Sequence, residues 1–151
     1  MSTRTDDTTG TRSPEALARR VLAAIGTDDV EDVGALVTED FVDHGAPPWV
    51  PSGREAYVRT LRFLSTNLQL RYEVHDVVAD GDRVAIRATA HGVHAVPLHG
   101  FAPTGRPYAM PTMHLYRARD GLLAEHWGVR DELGVLRQVG ALAAPEPFAL
   151  D

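Results

Sequence analysis

The 151-residue chain contains no cysteine and no lysine. Without cysteine there is no thiol catalysis, no disulfide and no thiolate metal site. All 15 basic residues are arginine, so Schiff-base chemistry, covalently held pyridoxal phosphate and a Walker-type phosphate loop are excluded as well. No apolar run approaches the ~20 residues a membrane helix needs. Residues 1–13 lack the basic start and apolar stretch of a secretory signal, so a cytoplasmic protein with no membrane partner is expected. The arginines are scattered under a net charge of -6, which argues against nucleic acid as a partner. Acid-base chemistry must then draw on carboxylates, tyrosines and seven histidines.

What is present is ordinary globular material, 44% hydrophobic and 24% charged, enough for a single core. Residues 1–12 read as a disordered arm, 13–143 as the folded domain and 144–151 as a tail introduced by Pro145 and Pro147. Ser13 and Pro14 mark a helix start, and Leu17, Val21, Leu22 and Ile25 recur at helical spacing until Gly26. A second short helix is predicted through Val30, Val33, Leu36 and Val37, broken at 41–45. The Pro-rich stretch 46–51 is a loop carrying Trp49. Ser52 reads as the cap of a third helix over 54–66. Four strands follow at 70–78, 83–94, 107–118 and 122–130, with hairpin turns at Asp80-Gly81-Asp82 and Arg119-Asp120-Gly121. Pro111 predicts a bulge or a partly unpaired edge. Helices first and strands afterwards mean an α+β layer arrangement, a curved antiparallel sheet with helices on one face around a pocket.

Five of the seven histidines fall between residues 91 and 126. His114 shares a strand face with Met110, Thr112 and Tyr116, where it is either a titratable group in an amphipathic pocket or a core histidine bonded to a neighbouring strand. Asp131, at the end of the last strand, either orients a histidine or acts as base, or caps the helical turn that follows. Trp49 and Trp127 are pocket walls or core. His91 and His94 fall on opposite strand faces, and no histidine set has metal-ligand spacing, so no metal is expected.

The segments His91-Gly92-Val93-His94, Gly100 to Arg106, His114, Asp120 to Trp127 and Asp131 to Gly140 resemble the SnoaL-like polyketide cyclases of the nuclear transport factor 2-like superfamily. Phe41-Val42-Asp43-His44 and Gly53-Arg54-Glu55 also fit. The resemblance implies a helix-covered cone and a homodimer through the outer sheet face. It implies cofactor-independent chemistry in natural-product biosynthesis: a carboxylate takes an acidic carbon-bound proton, and the enolate closes a ring by intramolecular aldol addition. On this basis His114 and Asp131 are the expected catalytic residues. His44, Trp49, His94, Thr112, His126 and Trp127 are expected to contact a small hydrophobic substrate. The family's aspartate base follows the strand tryptophan, and here that position is Gly128; Asp131, Asp43 or a histidine could substitute, or the same pocket serves another reaction. An epoxide-opening cyclase or hydrolase, and a metabolite-holding protein without turnover, are the alternative functions.

Overall fold

The computed structural model describes residues 12–150; the expected N-terminal arm lies outside them except for Arg12. Helix α1 (Pro14–Ala24) starts where Ser13 Oγ accepts from the Ala16 amide at 3.1 Å, satisfying one of the free first-turn donors. Gly26, at φ 85°, ends this segment against the Leu70 carbonyl.

The predicted second helix is corrected. Asp28–Leu36 is a 3-10 helix, and the chain then enters strand β1 (Val37–Asp43). The buried residues Val30, Val33 and Leu36 are spaced by three, the 3-10 period and not the α period. Val37, Thr38, Phe41 and Val42 are β-branched or aromatic and favour an extended chain. Helix α2 (Arg54–Asn67) is not capped by Ser52; Gly53, at φ 109°, holds the cap position with no side-chain bond.

Strands β2 (Arg71–Asp80), β3 (Arg83–Val93), β4 (Pro107–Arg119) and β5 (Leu122–Arg130) form an antiparallel meander, and β1 adds in parallel beside β5, giving the order β1-β5-β4-β3-β2. Pro111 lies in the central strand with unbroken register to β3, not at a bulge or edge. Its carbonyl accepts from the Asp131 amide at 3.1 Å. The N–H that proline lacks would point the same way, past the end of β5, so no ladder bond is lost. The irregularity in β4 and β5 comes instead between Arg117 and Ala118.

Helix α3 (Glu132–Gln138) follows β5. The inner sheet face carries Val84, Ile86, Ala88 and Ala90 from β3 and Tyr108, Met110, Thr112, His114 and Tyr116 from β4, all buried. Gly92 pairs with Tyr108 across β3 and β4, and a Cβ on it would meet the Tyr108 hydroxyl at 2.5 Å. Gly92→Ala is expected to expel that ring and lower stability by about 1–3 kcal/mol. An unchanged denaturant midpoint would refute the close approach.

Candidate active site

A cavity of about 550 Å³, counted with its open mouth, lies between the C-terminal end of α2, the start of β2, the 94–106 connection and α3. Leu64, Leu68, Leu70, Leu98, Met110, Val135 and Leu136 make it mainly apolar; Tyr72, Tyr108, His99, Arg130 and Glu132 supply its polar groups. That is the usual make-up of a small-molecule pocket. His99 is at the tip of a tight turn with φ 48°, followed by Gly100 at 83°, and its Nε2 reaches Glu132 on α3 at 3.0 Å.

Behind Tyr72 runs a buried chain of polar side chains. The parallel register of β1 and β5 sets Asp43 beside His126, and His126 Nδ1 donates to Asp43 Oδ1 at 2.7 Å. The Gly45 amide donates to the same oxygen at 3.0 Å. His126 Nε2 lies 2.9 Å from His114 Nδ1, and His114 Nε2 lies 3.0 Å from Thr112 Oγ1. The Thr112 hydroxyl in turn donates to the Ala88 carbonyl at 2.9 Å. Tyr72 packs edge-on against His114 at 5.2 Å between ring centres, and Tyr116 stacks on His126 at 4.6 Å.

Counting donors fixes the direction of this chain. Thr112 has one proton and gives it to Ala88, so it must accept from His114 Nε2. Burial, reinforced by the positive charges of His126 and Arg130 and opposed by Asp43, pushes His114 down to about 3, so this ring is neutral and its Nδ1 accepts. His126 therefore donates from both nitrogens and forms a buried ion pair with Asp43. Burial raises the Asp43 carboxyl, but the hydrogen bond and charge of His126, the Gly45 amide and the Arg130 charge outweigh it and leave the group below its ordinary value.

Of the residues expected from the sequence, Thr112, His114 and His126 thus come together, with Asp43 as their carboxylate. Asp131 is elsewhere: its Oδ1 accepts from the Gly134 amide at 2.8 Å and caps α3. Trp49 is 80% exposed on its loop. Trp127 faces the outer side of the sheet, stacked on His44 at 4.7 Å, and His44 Nε2 meets Glu125 at 2.8 Å. His94 is fully buried, and its Nδ1 accepts from the Thr104 amide at 3.3 Å, so it anchors the 94–106 connection. Tyr72 and Arg130 were not singled out by the sequence, although strand alternation puts Arg130 on the face of His126. Among the described residues no cluster of three His, Asp or Glu side chains is placed to hold a metal ion, and no helix is long and apolar enough to cross a membrane.

Gly128, opposite His114 in the ladder, stands where the family resemblance implies a carboxylate. A Cβ there would lie 3.0 Å from His126 Cε1 and 3.2 Å from Arg130 Nη2. The space is thus bordered by an imidazole and a guanidinium.

The family profile of SnoaL-like polyketide cyclases matches residues 15–139. Aklanonic acid methyl ester cyclase DnrD of Streptomyces peucetius is 28% identical over 128 residues, spanning 82% of this chain and 88% of that protein. The nogalonic acid methyl ester cyclase of Streptomyces nogalater is 25% identical over 127 residues, spanning 80% and 92%. Among solved structures, IdmH from Streptomyces antibioticus superposes with a TM-score of 0.72 at 32% identity, covering 85% of this chain and 99% of that one. TsrD from Streptomyces laurentii gives 0.75 at 28%, covering 85% and 95%. With the profile spanning most of the chain and the five-stranded sheet, its helices and the pocket in place, this protein belongs to the SnoaL-like polyketide cyclase family.

Proposed function

We propose that the protein closes a ring in a polycarbonyl aromatic substrate by an intramolecular aldol addition that needs no cofactor. The observation that carries this reading is the buried Asp43, His126, His114 and Thr112 chain, which supplies a proton store where Gly128 offers no base. The chain takes up a substrate proton once it has released one of its own to solvent: Thr112 then turns its hydroxyl from Ala88 to His114 Nε2, His114 Nδ1–H donates to His126 Nε2, and His126 Nδ1–H donates to Asp43. A proton leaving the substrate carbon then enters at the Thr112 and His114 end, the His114 Nδ1 proton passes to His126 Nε2, and the positive charge comes to rest against Asp43. The enolate carbon attacks a second carbonyl carbon, one C–C bond forms, and the C=O π bond opens to an alkoxide. The alkoxide takes the stored proton back, so substrate and product have equal mass. General acid-base transfer of this kind contributes about 10²- to 10⁴-fold.

The names of the relatives, cyclases of aromatic polyketide methyl esters, support this substrate class. The same reading includes a cytoplasmic location and a homodimer through the outer sheet face, where Met113 and Val129 are 47% and 68% exposed. The test is incubation of chelator-treated protein with polycarbonyl anthraquinone and epoxide-bearing substrates, followed by mass spectrometry and NMR. A product of unchanged mass with a new C–C bond is expected. A gain of one water, an ether product, or saturable binding without turnover would overturn the proposal.

A further inference from the structure

The cavity contains a charge that an uncharged aromatic ligand would not require. Arg130 is the last residue of β5 and the cross-strand neighbour of Thr112, and it lines the cavity beside Tyr72 and Met110. The one side-chain hydrogen bond of Arg130 runs from Nη1 to the Gly45 carbonyl at 3.3 Å, and among the described residues no carboxylate lies within ion-pair distance of the guanidinium. A guanidinium carries five N–H donors, and on this partly buried side chain most of them have no partner among the described residues. Neither carboxylate nearby serves it: Glu132, in the cavity wall, is held by His99, and Asp43, outside the cavity, is engaged by His126 and the Gly45 amide. Nη2 borders the space that a side chain at 128 would occupy. Where the family's anionic group would stand, this chain therefore presents a cation. Burial raises the Tyr72 phenol, which keeps it a neutral donor next to that cation.

We propose that Arg130 and Tyr72 form an anion subsite in the cavity, so that the ligand is a planar, mainly apolar molecule with an ionised oxygen at one end. This deepens the ring-closure reading in that it assumes the same cavity. A charge-assisted, bidentate contact from arginine is stronger and more directional than a neutral one. Either a carboxylate or an ionised phenol would supply the oxygen.

The test uses the full chain and three unreactive probes: anthraquinone-2-carboxylate, its methyl ester and 2-hydroxyanthraquinone, titrated by calorimetry at pH 8.5. The wild type is expected to bind the carboxylate at least tenfold more tightly than the ester. Arg130→Met should erase that preference by weakening the carboxylate alone, Tyr72→Phe should reduce it a few-fold, and Arg130→Lys should keep most of it. A hydroxyanthraquinone that outcompetes the carboxylate would make the natural anion a phenolate. Equal affinity for acid and ester in the wild type, binding of neither, or an equal loss of both in Arg130→Met would overturn the subsite. The acid and ester comparison in the wild type needs no variant to fold. Failure of ring closure with the acid preference intact removes the reaction alone; ring closure with no acid preference removes the subsite alone.

Discussion

Asp43→Asn is expected to lower turnover by about 10²- to 10⁴-fold while leaving most of the stability in place. The amide oxygen of asparagine still accepts from His126 Nδ1 and from the Gly45 amide, the two donors that Asp43 Oδ1 now satisfies. What it lacks is the negative charge that lets His126 carry protons on both nitrogens. The relay then has nowhere to rest a proton taken from substrate. Asp43→Ala removes the acceptor too, and leaving a mostly buried charge partner alone costs about 3–5 kcal/mol. Turnover numbers and urea midpoints for both variants separate the roles: low activity with a near-native midpoint in the asparagine variant is the expected pair. Turnover within threefold of wild type in that variant would show that Asp43 only builds the fold.

The second large effect is on acid stability. In the unfolded chain His114 takes up a proton as the pH falls through its ordinary value of 6.5, whereas in the folded protein it stays neutral until about 3. Across that window the unfolded state binds the extra proton, so stability falls as pH falls, by about 1.4 kcal/mol per unit for one group. Between pH 6.5 and 4 the loss reaches about 3 kcal/mol. Asp43 adds to it only lower down, because a depressed carboxyl contributes above its unfolded value and loses that contribution as the pH falls through its folded one. Urea unfolding at half-unit pH steps measures the slope. His114→Gln should flatten it between pH 6.5 and 4.5; an unchanged slope would show that His114 is not held neutral by burial.

Much of this protein could be read from its sequence. Period-two alternation and two turns with glycine placed the four antiparallel strands to within two residues, and Ser13 with Pro14 marked the start of α1. The first strand was missed because Val30, Val33, Leu36 and Val37 fit a helical spacing if one does not notice that the first three are strictly three apart. That miss had a chemical cost, since β1 is what carries Asp43 to His126. The parallel contact joins residues 83 positions apart, and nothing local in the sequence announces it. His114 and Thr112 could be singled out because alternation puts them on one face, whereas the outward direction of Trp127 depends on which face the helices cover. Arg130 obeys the same alternation as His126, but a lone arginine at a strand end reads as solvated until the cavity around it is known.

Gly45 seats its backbone against Gly128: a Cβ on Gly45 would come within 3.1 Å of the Gly128 nitrogen and 3.2 Å of its oxygen. On the other side, His126 is fixed by bonds to two partners and Arg130 fills the remaining gap. A carboxylate side chain at 128 would meet an imidazole held by two bonds, which would have to give by a few tenths of an ångström, and would pair with the guanidinium beside it. A carboxylate restored at 128 would thus gain a cationic partner at the cost of a small displacement of His126, whereas a side chain at 45 would have to clear the backbone of 128 itself.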